Sequence, residues 1–264
     1  EKKTGVTVPI LDTNGKFVSR FSGPENKGLN RAYWNFRETE EPAGGEGERR
    51  DEGQPAGERG AGRAGGRAMG PTVLPGTYTA RLSCDGQDLI QTFEVKTDPR
   101  LSVDLKDLEA NYAEARKAQG LSRAVTRAGR EMEQTRRAIQ TVKDSLAPAG
   151  DAKADDLRKA ADELEKKRRE LAEALNPTPA KQGMADRSAS LQSQVMGAVM
   201  AIGGAGIEPV SEAARVRYDK VLPRVREFLD KVNAFYEKDV EEFKKKLEAA
   251  RLSPFGTVAP FKIE

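Results

Sequence analysis

Apolar and polar side chains alternate with a period of two in the N-terminal part of the chain, which predicts short β-strands. The strand-like segments are 6–21, 28–37 and 73–95. In the first of them, the dipeptide Asn14-Gly15 favours a tight hairpin turn, because both turn residues need positive φ. Asp98-Pro99 ends the pattern, since proline restricts the residue before it. The three segments together predict one β-module.

After residue 102 the apolar positions recur at steps of three and four, which predicts one long amphipathic helix through residue 146. Three further helical patterns follow. They end at Asn176-Pro177, near residue 202 and near residue 247. Pro223 lies inside the last pattern and predicts a kink or a helix boundary there. We therefore expect an α+β protein of two domains, an Ig-like antiparallel β-sandwich followed by an antiparallel four-helix bundle.

The composition places the domain boundaries. We expect the sandwich at 1–99, the helical bundle at 100–253 and a C-terminal tail at 254–264. Within the sandwich, residues 38–72 are almost entirely Gly, Glu, Arg, Ala and Pro, so they have too few apolar side chains to offset the entropy of ordering. This predicts a disordered insertion. An Arg/Gly-rich segment for an anionic partner is the alternative, which the interspersed Glu and Asp residues disfavour.

The charge and the rare residues narrow the classes of function. The 264 residues carry a net charge of +3, which is too small to indicate nucleic-acid binding. The absence of histidine removes the commonest general base and metal ligand, and Cys84 is the single cysteine, so no internal disulfide forms. Residues 188–207 are the longest uncharged stretch, but they are rich in Ser, Gln and Gly and make a poor membrane span. We expect no cofactor, no metal, no nucleic-acid partner and no transmembrane segment.

Several apolar residues are candidates for contacts with another protein. Trp34, the single tryptophan, is expected as a core anchor of the sandwich or as an exposed binding aromatic; together with Tyr33 and Tyr78 it would form a platform for a sugar or a peptide. The C-terminal tail is apolar in places and is expected to pack on the protein or on a partner. The candidate interaction residues are Val6, Val8, Ile10, Tyr33, Trp34, Phe255 and Phe261.

The segments 8–20, 28–37 and 75–82 resemble the Ig-like domain of flagellar hook-capping proteins. Their order, followed by Asp98-Pro99-Arg100 and a helical region, is similar to the C-terminal region of exported bacterial proteins with sortilin-type BNR-repeat β-propellers, which are often labelled glycosyl hydrolases. The resemblance implies export across the inner membrane and a periplasmic or extracellular location. In that family the sugar chemistry would belong to the propeller, which is not present in this sequence.

Domains of this type have a strand before the one at 6–11. We therefore expect the sandwich to be incomplete at its first strand, with the exposed edge covered by a neighbouring chain or an upstream segment.

The sequence leaves two classes of function to compare, an enzyme and a protein-interaction subunit. A carbohydrate hydrolase needs two carboxylates that face each other across a cleft, but the acidic residues here lie on helix faces among Lys and Arg, which is typical of solvated ion pairs. We therefore expect a protein that is not an enzyme. The predicted function is a structural, protein-interaction subunit outside the cytoplasm that stabilises a larger envelope or membrane-associated complex. The alternative is a sugar- or peptide-binding accessory module of a propeller-type, glycoside hydrolase-like protein.

Overall fold

The computed structural model describes residues 6–23, 28–39, 70–84, 87–146, 152–177, 190–204, 206–249, 260 and 262. They divide into two compact units. The first lies within Glu1–Arg116 and Gly206–Pro209, and the second within Lys117–Ala205 and Val210–Glu264.

The first unit is built on one antiparallel sheet of four strands in the order β2-β1-β3-β4. The strands are β1 (Thr7–Leu11), β2 (Phe17–Ser22), β3 (Gly76–Cys84) and β4 (Gln87–Val95). The hairpin predicted at Asn14-Gly15 is confirmed, since β1 and β2 pair on either side of it. The tight two-residue turn is wrong, because Gly15 has a φ of 75° but Asn14 has no positive φ, and residues 12–16 form the loop. The Asp12 carboxylate accepts the backbone N–H groups of Asn14 and Lys16 at 2.9 Å. This turn brings β1 and β2 together.

One face of the sheet buries a small apolar core. Ile10 of β1 is 1% exposed and lies opposite Ala80 of β3, and Tyr78 of β3 lies opposite Phe93 of β4. Partly buried side chains pack against this core, Trp34 among them. Because side chains alternate across a strand, the register of the pairs places this apolar set on one face.

The helices are α1 (Leu105–Ser145), α2 (Ala152–Leu175), α3 (Leu191–Gly203), α4 (Glu212–Ala234) and α5 (Glu241–Ala249), with a π-helical segment at Phe235–Val240 between the last two. Ser190 and Ser211 cap α3 and α4, each accepting a backbone N–H three residues later. Of the two alternatives predicted at Pro223, the helix boundary is wrong, because α4 continues through this residue. The second unit buries an extended apolar core that includes Leu121, Met132 and Phe228.

The predicted fold class, an Ig-like antiparallel β-sandwich followed by an antiparallel four-helix bundle, is wrong. The strands of the described residues form one sheet rather than two, because β3 pairs with β1 along its edge. Residues 28–37 are not a strand that could build a second sheet, since they join no ladder and have a single isolated bridge, from Arg37 to Thr72. Phe36, with a φ of 57°, also lies outside the extended region. The helices range from 41 residues in α1 to 9 in α5, too unequal for a bundle of four matched helices.

The expected open edge at the first strand also differs from the structure. β1 lies between β2 and β3 and pairs with both, although its pairing with β3 covers only Ile10 and Leu11. The two edge strands of the sheet are therefore β2 and β4.

Candidate interaction site on the sheet unit

Residues 28–39 are held on the sheet by Trp34. Its ring lies 5.2 Å from that of Phe36, 5.7 Å from that of Tyr78 and 6.1 Å from that of Phe93, measured between centroids. The indole N–H donates to the carbonyl oxygen of Arg37 at 3.1 Å. The Trp34 ring is therefore packed against other aromatic rings and its N–H group is hydrogen-bonded, so Trp34 anchors the segment.

A short ladder of hydrogen bonds then joins this segment to residues 70–73. The N–H of Glu38 donates to the Pro71 carbonyl at 3.0 Å, and the N–H of Gly70 donates to the Glu38 carbonyl at 3.0 Å. The N–H of Val73 donates to the Phe36 carbonyl at 2.8 Å. A Cβ atom at Gly70 would clash with the backbone carbonyl oxygen of Glu38, so this close approach requires glycine.

These hydrogen bonds order the backbone at the two ends of the insertion, where the sequence predicted disorder. Residues 38–39 and 70–72 have fixed backbone partners and connect directly to the sheet. Residues 40–69 lie outside the described residues, so the prediction of disorder stays a prediction for them.

The side chain of Glu38 links the segment to the first turns of α1. The Tyr112 hydroxyl donates to the Glu38 carboxylate, and the Arg116 guanidinium lies 3.4 Å from the same oxygen and 3.2 Å from the Tyr112 hydroxyl. Burial, and then the hydrogen bond to Glu38, raise the pKa of Tyr112, so its hydroxyl stays protonated and donates. The hydrogen bond with Tyr112 raises the pKa of Arg116.

Three large apolar side chains of the same segment are exposed. Leu29 is 101% exposed, Tyr33 78% and Phe36 48%. We call them the apolar surface. Trp34 and Glu38 hold the backbone next to Tyr33 and on both sides of Phe36, so this part of the apolar surface is presented by a chain with defined contacts.

The predicted interaction residues fall into different environments. Ile10 is a fully buried core residue, and Val8 packs partly buried against that core. Val6, partly buried, precedes β1, and Tyr33 is exposed as described above. Phe255 and Phe261 lie outside the described residues.

The predicted aromatic platform is not assembled as one surface. Tyr78 is 8% exposed and its hydroxyl donates to the Leu74 carbonyl at 2.7 Å. Burial raises its pKa. Trp34 is turned into the same core, so of the three aromatic residues Tyr33 alone has an exposed ring.

Sequence reasoning missed Glu38, Tyr112 and Arg116 as a group. Glu38 falls in a low-complexity stretch and Tyr112 fits the apolar period of a helix, so neither carries a local signal. Leu29 and Phe36 were missed because alternation suggested a paired strand. The sequence offered one sign that some apolar residues of this segment would stay exposed: as a strand, it would have apolar residues on both faces.

A cleft of about 420 Å³ lies in the second unit, with Gly129, Met132, Arg168 and Leu175 among its lining residues. Glu133 is the sole carboxylate in this lining. Hydrogen bonds from Arg136, and then from Arg137, lower the pKa of Glu133 to about 2. The guanidinium of Arg168 is paired with Glu165 at 2.7 Å. This cleft therefore does not place two facing carboxylates.

Across the part of the chain that the structure describes, no three Cys, Asp or Glu side chains cluster in a way that could hold a metal ion. In the same residues, no helix combines the length and the apolar character needed to cross a membrane. No protein-family model, curated protein or solved structure shows significant similarity to this chain.

Proposed function

We propose that this chain is a non-catalytic structural and protein-interaction subunit that acts outside the cytoplasm and stabilises a larger envelope or membrane-associated complex. The observation that carries the proposal is the apolar surface, with Leu29 and Tyr33 exposed on a segment anchored through Trp34 and Glu38. Exposed apolar patches mark interaction sites. An anchored backbone loses less conformational entropy on binding than a free one, which favours its use as a docking site.

The helical unit supports the same function with a second exposed patch. The thirteen residues of α3 include no charged side chain. Met196 is 42% exposed and Met200, one turn later, is 69% exposed. Methionine side chains adapt to irregular apolar partners, so this face of α3 is suited to protein contact.

The location outside the cytoplasm rests on the sequence resemblance of residues 8–20, 28–37 and 75–82 to segments of exported bacterial proteins. The location and the partner are tested together by tagging the full chain in its source cell, separating the cytoplasm from the envelope and purifying the tagged chain in mild detergent. We expect the chain in the envelope fraction, together with other subunits in a fixed molar ratio.

The apolar surface is tested by the double substitution Leu29→Ser and Tyr33→Ser. We expect this variant to fold and to lose its partners, because it removes apolar contact area without touching the anchor. Arg31→Ser is the matched control, since Arg31 is an exposed residue of the same segment. A chain that purifies alone from the native envelope, or that keeps its partners in the double variant, contradicts the proposal.

A further inference from the structure

The two edges of the sheet differ in a way that bears on self-association. At the outer edge of β2, the N–H of Thr39 donates to the Val18 carbonyl at 3.0 Å, and its hydroxyl oxygen accepts the N–H of Arg20 at 3.1 Å. Residue 39 thus covers that edge with the chain itself. No strand among the described residues pairs with the outer edge of β4.

β4 is also unusually regular for an edge strand. Its nine residues pair with β3 without interruption, from Val95 opposite Gly76 to Gln87 opposite Cys84. Proteins commonly protect such edges with proline, lysine, a bulge or a short strand, and β4 has none of these within its bounds. Leu89 is 61% exposed and Ile90 65% exposed.

We propose that β4 pairs antiparallel with β4 of a second copy of this chain, around a two-fold axis at Thr92. The two sheets then form one continuous sheet across the dimer. This pairing does not depend on the proposed function, because it uses β4 rather than the apolar surface.

Charge complementarity favours a second copy of this chain as the partner of β4, and it favours the register with Thr92 on the axis. Opposed residues share a face of the sheet, so a two-fold axis normal to the sheet places one residue opposite itself. With Thr92 on the axis, Asp88 lies opposite Lys96 of the second copy, and Leu89 lies opposite Val95 of the second copy. Both contacts occur twice, which gives two ion pairs and two apolar pairs.

The neighbouring registers lack this match. An axis at Gln91 places Asp88 opposite Glu94, and an axis at Phe93 places Asp88 opposite Asp98, so like charges oppose each other twice in both cases. An axis at Ile90 makes no ion pair.

The charged side chains at the proposed contact are accessible. Asp88 has an exposed side chain (40%), and hydrogen bonds from Ser83 and Arg81 lower its pKa. Lys96 is 73% exposed and lies 3.0 Å from Glu94 on its own chain. In the dimer the Lys96 ammonium group lies between two carboxylates, that of Glu94 on its own chain and that of Asp88 on the second copy. Negative and positive charges therefore alternate at each end of the new pair of strands.

The axis is tested by disulfide trapping in a Cys84→Ser background, which removes the single native cysteine. Opposed Cα atoms are about 4.5–5.5 Å apart in an antiparallel pair, within the range of about 4.4–6.8 Å that a disulfide needs. We expect Thr92→Cys to form a covalent dimer under mild oxidation. Ile90→Cys is the matched control, because the two copies of residue 90 are offset by four residues, or about 13 Å along the strand.

The charge match is tested by sedimentation velocity over a range of concentrations. We expect Lys96→Glu to weaken dimerisation by about tenfold, since it replaces two attractions with two repulsions. Lys16→Glu makes the same change of charge in the exposed β1–β2 turn and should leave the dimer intact. Circular dichroism spectra that match the wild type establish that each variant is folded.

Trapping of Thr92→Cys together with weakening by Lys96→Glu supports the proposal. Efficient trapping of Ile90→Cys overturns it, because the axis then lies elsewhere. A wild-type chain that remains monomeric at every concentration, with no trapping of Thr92→Cys, also overturns it.

Discussion

A buried hydroxyl pair gives the sharpest prediction for the stability of the helical unit. The hydroxyl oxygens of Thr135 and Tyr236 lie 2.9 Å apart, and the two residues are 5% and 8% exposed. Tyr236→Phe removes one partner and leaves the Thr135 hydroxyl in an apolar setting, which costs about 1–3 kcal/mol. Thr135 sits in α1 and can turn its hydroxyl to the carbonyl one turn earlier, so we expect a loss of about 1–2 kcal/mol at pH 7.

The same substitution reverses its effect at alkaline pH. Burial raises the pKa of Tyr236 from 10.0 to about 12. A raised pKa means that the folded state holds its proton more tightly than the unfolded state. The resulting stability is complete below pH 10 and is lost as the pH rises towards 12, by about 2–3 kcal/mol in total. Phenylalanine has no such loss, so we expect the variant to become more stable than the wild type between about pH 10 and 12.

The assay is urea unfolding followed by far-UV circular dichroism across this pH range. Trp34, the single tryptophan, lies in the first unit, so its fluorescence follows the sheet unit separately. Tyr33→Phe is the control, because Tyr33 is 78% exposed and has no buried hydroxyl to lose.

A double-mutant cycle isolates the pair itself. Thr135→Val combined with Tyr236→Phe replaces both hydroxyls with apolar groups, so we expect the double variant to lose less than the sum of the single losses. Additive losses, or stability curves of Tyr236→Phe and wild type that stay parallel up to pH 12, would refute the reasoning.

Three further substitutions have expected outcomes of their own. Gly70→Ala brings a methyl group against the Glu38 carbonyl and should lower the stability of the sheet unit by about 1–3 kcal/mol, seen as a lower urea midpoint in tryptophan fluorescence. Gly197→Ala should instead stabilise the helical unit by about 0.5–1 kcal/mol, since the nearest atom to an added Cβ is 4.0 Å away; no gain in the thermal midpoint would contradict it. Ser211→Ala removes the oxygen that accepts the N–H of Ala214 at 3.3 Å and should cost about 1 kcal/mol by circular dichroism, whereas an unchanged midpoint would mean that water caps α4 equally well.

Local patterns were sufficient for several elements of this protein. The hairpin at Asn14-Gly15 and the long helix at Leu105–Ser145 follow from turn chemistry and apolar period. Each depends on interactions within a few residues of the chain, which is the range that a sequence pattern reports. The absence of histidine likewise narrows the chemistry from composition alone.

The arrangement of the strands depended on contacts that are distant in sequence. Alternation marks a residue as facing a core but does not say which strand lies beside it, and so the sandwich was predicted where β1 and β3 share one sheet. The site has the same origin: Glu38 meets Tyr112 and Arg116 only because the chain folds back over more than seventy residues. The sequence by itself determined which segments form helices and hairpins. The tertiary structure decided which edge of the sheet stays open and which apolar side chains stay exposed, because burial is a property of neighbours rather than of local pattern.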